Sequence, residues 1–387
     1  MRTPILVLLA VLAGCSGGLS LTDAISPAPR GPSGRPAPDP RDGGEGVADG
    51  GTDSGTAGPD AGSDAGTLAG DPAPTPPPSP DPPPPAPPPP APPPPAPPPP
   101  PPPPSPSPPP PQLAPIVPAN SPWNTRIDGD PVDPNSDAYI ANMGADDPLT
   151  AAWDADGNGI PYTEVGSDQP MVAISYWGYP RESDPGPFPI PWNAAVDPSL
   201  DHHVIVVDRQ RGFLYELFQG SRNSDGSWDA SNGAKWNLWS NASRPLRWTS
   251  ADAAGLPIFP GLVRWNEVDS GWIGHALRFV VGHSQQGFVS PATHAAGSCA
   301  YGSNCPPMGL RVRLKASVDI SGFSWRMQVI LRALKEYGMF VADNGGGTSF
   351  WLSGAPDPRF SNEETRSLGA ITGRDFEVVQ HGPISPQ

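Results

Sequence analysis

A mainly β fold, a sandwich or jelly-roll-like body with a few peripheral helices, is what the later two thirds of this 387-residue chain predict. Three observations carry that expectation. Apolar and polar residues alternate with period two in many short runs, turn residues separate those runs, and only one segment carries a clear helical stripe. An α+β domain is the alternative.

In chain order, a short helix is expected from Ser136, then a strand over 170–177. His203-Val-Ile-Val-Val-Asp208 and Phe213-Leu-Tyr-Glu-Leu-Phe218, separated by Arg209-Gln-Arg-Gly212, read as two strands of a hairpin. Further strands are expected at 273–281, 287–290 and 309–316. The one convincing helix has Ser324 as N-cap, an apolar stripe of Met327, Ile330, Leu331, Leu334 and Tyr337, and Gly338 just past its end. Strands at 339–342, 349–352 and 376–379 and a short helix near Asn362 complete the reading.

The rest of the chain has a different composition. Roughly half of the 63 prolines lie between Pro72 and Pro111 in repeated Pro-Pro-Pro-Pro-Ala blocks, a pattern that favours a stiff polyproline II spacer reaching on the order of 100 Å. Residues 15–71 are rich in Gly, Asp, Ala and Ser and lack the apolar surface needed to offset ordering entropy, so they read as a disordered tether. Residues 112–387 remain as one globular unit and hold all 12 tryptophans. The net charge of −16 argues against nucleic acid as a partner.

At the N-terminus, Arg2 and the apolar run Ile5 to Leu12 have the form of an export signal over 1–14, too short for a spanning helix. Leu12-Ala13-Gly14-Cys15 resembles the lipobox of bacterial lipoproteins. That resemblance implies diacylglycerol on the Cys15 thiol and cleavage before it. It also implies a place in the cell envelope, lipid-anchored at the outer membrane or cell surface. Several acyl chains on one residue anchor stably, at about 0.8 kcal/mol per buried methylene. Cys299 and Cys305 are then the remaining pair and most simply form a disulfide in an exported chain.

The chemistry-bearing residues of the globular unit suggest glycan. Flat aromatic faces stack on sugar rings, and Trp177, Trp236 and Trp239 lie in polar or loop contexts within a dense run of aromatics from Trp177 to Trp248. Glu267 and Asp269, at i and i+2 of an expected strand, would project from one face as an acid/base pair, with His275 nearby to tune them. Their Glu-x-Asp pattern resembles the start of the motif in laminarinase-like retaining β-glucanases, then departs from it: Gly271 and Trp272 stand where that family has its second Glu. Arg311, Arg313 and Lys315 form a cationic stripe on one face of a strand, suited to uronate carboxylates.

Asp154, Asp156 and Asn158 match the opening of a calcium loop, although Glu164 falls one position short of the closing ligand, so Ca²⁺ and a plain hairpin turn both remain open. Ala342-Asp343-Asn344-Gly345 ends a strand in glycines, a placement often used for binding residues. The stretch 255–347 resembles uncharacterised secreted bacterial domains, which implies one coherent domain and no particular reaction. The combined expectation is a surface lipoprotein whose head engages extracellular polysaccharide or cell-wall glycan, as a glycoside hydrolase, a polysaccharide lyase or a non-catalytic binding module. An envelope structural role is the third class.

Overall fold

The computed structural model describes residues 115–345 and 347–387; the signal segment, Cys15, the tether and the polyproline spacer lie outside them. The elements run α1 (Ser136–Met143), β1 (Thr150–Ala151), β2 (Thr163–Glu164), β3 (Ile174–Tyr176), β4 (Val204–Asp208), β5 (Phe213–Phe218), β6 (Ser221–Arg222), β7 (Trp228–Ala230) and β8 (Asn232–Asn237). There follow α2 (Trp265–Ser270), β9 (Leu277–Val281), β10 (Gly287–Phe288), β11 (Arg311–Leu314), α3 (Trp325–Glu336), β12 (Met339–Asn344), β13 (Trp351–Leu352), α4 (Asn362–Ser367), β14 (Phe376–Val378) and β15 (Ser385–Pro386). Among the described residues no helix is long and apolar enough to cross a membrane.

The body is mainly β. Its largest sheet has six strands in the order β1-β13-β9-β12-β11-β14, beside a four-stranded sheet β2-β4-β5-β8 and a three-stranded sheet β3-β7-β6. Pairing is mixed: β9 runs parallel to β12 and β2 parallel to β4, whereas β11 is antiparallel to both its neighbours. Helix α3 covers the large sheet at β11 and also touches α2. Its first turn is capped by Ser324, whose side chain accepts from the Met327 N–H. The stripe Met327, Ile330, Leu331 and Leu334 is buried. The chain then reverses at Gly338 (φ 65°), where a Cβ would sit 2.4 Å from the Val312 carbonyl oxygen.

The hairpin β4–β5 is buried on both faces. Val204 and Val206 pack with Phe188, Tyr215, Leu217 and Trp228, while Ile205 and Val207 pack with Leu214, Ile258, Phe259 and Leu262. Its tight connection uses Gly212 in the left-handed region (φ 72°), against which the Trp239 ring lies. Behind this hairpin, Glu216 is fully buried and accepts from the Ile258 and Phe259 N–H groups and the Trp236 indole N–H.

Two sequence expectations are corrected here. Residues 265–270 are helix α2, closed by Gly271 (φ 83°), not a strand. At about 100° per residue, Glu267 and Asp269 therefore point roughly 200° apart and share no face. The outer side of β11 is not an open cationic stripe either: Arg311 donates to the carbonyls of Pro122, Thr125 and Tyr337, and Arg313 to Glu377 and to the carbonyls of Ile127 and Asp130. Lys315 donates to the Arg374 carbonyl. Burial draws the Arg311 guanidinium down to about 10, the cost of placing it under the segment that follows the spacer.

Cys299 and Cys305 form a disulfide, with Cα atoms 6.3 Å apart, closing the loop between β10 and β11.

Candidate functional site

A cleft of about 1020 Å³ opens where six parts of the chain meet. Its walls are β1 with the turn after it, the 197–203 loop ahead of β4, the ends of β9, β12 and β13, and helix α4. The parallel register of β9 and β12 brings Val280 opposite Asp343, so the polar end of β12 emerges at the cleft beside the buried Arg278.

Arg278 forms the floor and is only 2 % exposed. It grips Asp252 with two bonds, Nη2 to Oδ1 at 2.8 Å and Nε to Oδ2 at 3.1 Å, and donates from Nη1 to the Ser353 hydroxyl at 2.7 Å. Asp343 approaches the same guanidinium only to 3.9 Å, and among the described residues its carboxyl accepts one hydrogen bond, from the Asn344 backbone N–H. Of the two acids beside one cation, Asp252 holds the directed bonds; burial raises its carboxyl too, against the pull of Arg278. Burial first, then the negative charges of Asp252 and Asp201, push the Asp343 carboxyl up to about 8 against the pull of Arg278. Its side chain keeps 24 % exposure, so the proton it carries at neutral pH is reachable from the cleft.

Three residues lining this cleft, Trp153, His203 and Asn344, each carry a buried polar atom with no hydrogen-bond partner among the described residues, in Trp153 the indole Nε1. His203 is 2 % exposed with Nδ1 unbonded, and Asn344 donates through Nδ2 to the Ala296 carbonyl while its Oδ1 is unbonded. A buried polar atom without a partner carries a desolvation cost of about 1–3 kcal/mol. Trp351 adds a half-buried indole whose Nε1 donates to Thr348. The remaining lining is mixed, with Thr150, Ser199, Asn362, Thr365 and Arg366 set among apolar Leu149, Trp153, Ile160, Leu200 and Val280.

The sequence-derived candidates fall in several places. Glu267 and His275 do meet, at 3.3 Å, but in a buried cluster where Arg264 also bonds Glu267 at 2.5 Å and His275 Nε2 at 2.9 Å. His275 Nδ1 faces the Ala276 carbonyl at 2.8 Å and so must donate there. Burial would raise the Glu267 carboxyl, but Arg264 and His275 outweigh it and hold it at about 2. Asp269 is separate, exposed, and paired with Arg326 at 3.4 Å.

Trp177 and Trp239 are 64 % and 69 % exposed on other surfaces, and half-buried Trp236 is tied to Glu216. None of the three lines the cleft. The Asp154 carboxylate is taken up by its own turn, accepting from the N–H groups of Asp156 and Asn158 and from the Asn158 amide, while Asp156 accepts from Asn362. Among the described residues no group of three or more His, Cys, Asp or Glu is arranged to hold a metal ion. That turn and the 342–345 loop nonetheless both border the cleft.

Asp201, Asp252, Arg278 and Trp351 were absent from the sequence-level site. For Arg278 the signal existed: an arginine at mid-strand, with Leu277 and Phe279 facing the core, has to pair with something if both sheet faces are covered. No family model, no curated protein and no solved structure matches this chain.

Proposed function

We propose that the chain is a lipid-anchored envelope protein whose head binds extracellular glycan in the 1020 Å³ cleft. The observation that carries the reading is the cleft's amphipathic chemistry: hydroxyls, amides and carboxyls set among apolar side chains and the indoles of Trp153 and Trp351, with His203 Nδ1 buried and without a partner among the described residues. Such a lining suits a polyhydroxylated ligand, and the volume lies at the upper end of small-molecule pockets, room for several sugar rings. The charge balance favours neutral or amino sugars over uronates. The carboxylates of Asp154, Asp197 and Asp201 line the cleft with Arg366 and an Arg278 already matched by Asp252, and the β11 cations that would greet a polyanion are engaged with carbonyls and Glu377. The lipobox-like Leu12-Ala13-Gly14-Cys15 and the proline-rich stretch after it support the anchored, extended presentation.

Affinity electrophoresis of the full-length protein in gels containing a neutral β-glucan, partly deacetylated chitin or polygalacturonate tests the reading. Retardation by a neutral or amino polysaccharide is expected, weakened at least tenfold by Trp351→Ala and unaffected by Trp177→Ala or Trp239→Ala. The reverse pattern would move the ligand to the exposed tryptophans. Cys15→Ala is expected to shift the protein from the detergent to the aqueous phase in a partition assay; unchanged partitioning removes the anchor.

A further inference from the structure

Resting on the glycan reading of the same cleft, we infer that the site hydrolyses glycosidic bonds, with Asp343 as general acid and Asp201 as general base. The two carboxyls come from different walls, Asp343 from the end of β12 and Asp201 from the 197–203 loop. Neither is tied up. Asp343 has only its neighbour's N–H and a distant guanidinium, and the Asp201 side chain has no hydrogen bond or ion pair among the described residues. The Asp201 backbone, by contrast, is fixed: its N–H donates to Ser199 and its carbonyl accepts from Gln219, and Ser199 is in turn held by Asp197. A free carboxylate on a fixed backbone is a group positioned for something outside the protein. Independent of the acids, the cleft wall holds the His203 imidazole, 2 % exposed, whose Nδ1 has no hydrogen-bond partner among the described residues.

The assignment of roles follows from surroundings that separate the two acids, the pattern by which paired carboxyls divide acid from base. Asp343 is packed beside Asp252 and holds its proton; Asp201 lies on the loop and adds to the field that keeps that proton in place. In the reaction the Asp343 proton passes to the bridging oxygen as the bond from the anomeric carbon to that oxygen breaks. The oxygen of a water bonds to the anomeric carbon, and Asp201 takes the water's proton. One water is consumed, two sugar ends result, and nothing is oxidised. Exchange with solvent then returns a proton to Asp343 and removes one from Asp201. Arg278 is a positioning residue: clamped by Asp252 and Ser353, it balances the charge that Asp343 acquires when it gives up its proton.

The test follows reducing ends released by the full-length protein from a neutral β-glucan, partly deacetylated chitin and polygalacturonate, alongside binding to the same polymers. Product is expected from the neutral or amino polymer and not from polygalacturonate. Asp343→Asn and Asp201→Asn are each expected to lower the rate at least 100-fold while binding persists. The groups facing Asp343 are Arg278, Asp252, Asp201 and His203, and with them in place the wild-type rate is expected to fall as pH rises through about 8, where the acid loses its proton. Binding without product in the wild type overturns hydrolysis and leaves the glycan reading standing; absence of both overturns the two together. If Asp343→Asn does not fold, a wild-type rate that is flat from pH 7 to 9 overturns the assignment by itself.

Discussion

Glu216 and Glu267 are both buried acids, yet their surroundings send them in opposite directions. Glu216 receives three N–H groups but no cation, and burial wins, pushing its carboxyl up to about 7. Glu267 has Arg264 and His275 against it and is held at about 2. The signs for stability are therefore opposite. Glu216 binds its proton more tightly when folded, so its contribution is fully present below the ordinary 4.5 and is lost as pH rises to about 7, worth about 3 kcal/mol. Glu267 contributes above 4.5 and loses that contribution as pH falls toward about 2. Urea unfolding at pH 4.5 and pH 7 is expected to show the wild type losing stability toward pH 7. In Glu216→Gln, which cannot titrate, the loss should shrink by about 3 kcal/mol. An unchanged pH slope would show that Glu216 is ionised throughout. At this scale the sequence is silent, because nothing in Leu-Tyr-Glu-Leu tells that Trp236, twenty residues on, and the N–H groups of Ile258 and Phe259, some forty residues on, will arrive.

Elements whose signals are local were legible. The β4–β5 hairpin, the Ser324-capped α3 and the short helices α1 and α4 form where period, cap and glycine punctuation place them. Helix α2 was not legible because six residues are too few for the helical period to stand out, although its buried Trp265 and Val268 are spaced i and i+3. Strand β8 was missed for the opposite reason: Asn-Gly-Ala-Lys-Trp-Asn has poor strand character, and it is extended because β5 pairs with all six of its residues. The junction from α3 to β12 gives a prediction at this scale. Gly338→Ala puts a methyl 2.4 Å from the Val312 oxygen at a positive φ, so the helix must shift or the β11–β12 pairing open. A loss of roughly 2 kcal/mol is expected in chemical denaturation. A neutral result would mean the turn relaxes without disturbing the sheet. Removing the disulfide by Cys299→Ser with Cys305→Ser is expected to cost about 2 kcal/mol, the entropy of a short closed loop, measurable in the same way.

For the whole molecule, the site was the least legible part. The mainly β class follows from patterns within each run, whereas the cleft draws on residues near positions 150, 200, 280, 343 and 365, whose meeting depends on the parallel pairings β9–β12 and β1–β13. The sequence flagged two of its borders, the 154–158 turn and the 342–345 loop, by their turn chemistry alone. It offered no means of bringing Asp252 to Arg278. The hydrophobic interior is likewise divided into three clusters, and two of them share β4 and β5. Since both of those clusters lose a wall when this hairpin opens, urea transitions followed by tryptophan fluorescence and by far-ultraviolet circular dichroism are expected to coincide. Separate midpoints would show that one cluster melts alone. The double burial of the hairpin also bears on how its alignment is chosen. Most half-exposed strands resist slippage because a one-residue shift turns oily side chains toward water, but here the valines of β4 would only exchange one greasy compartment for another. What distinguishes the two alignments is a single acid: a shifted β5 would carry Glu216 away from Ile258, Phe259 and Trp236 and press it against Phe188 and Trp228, so this carboxyl works as the alignment key of the domain's central ribbon.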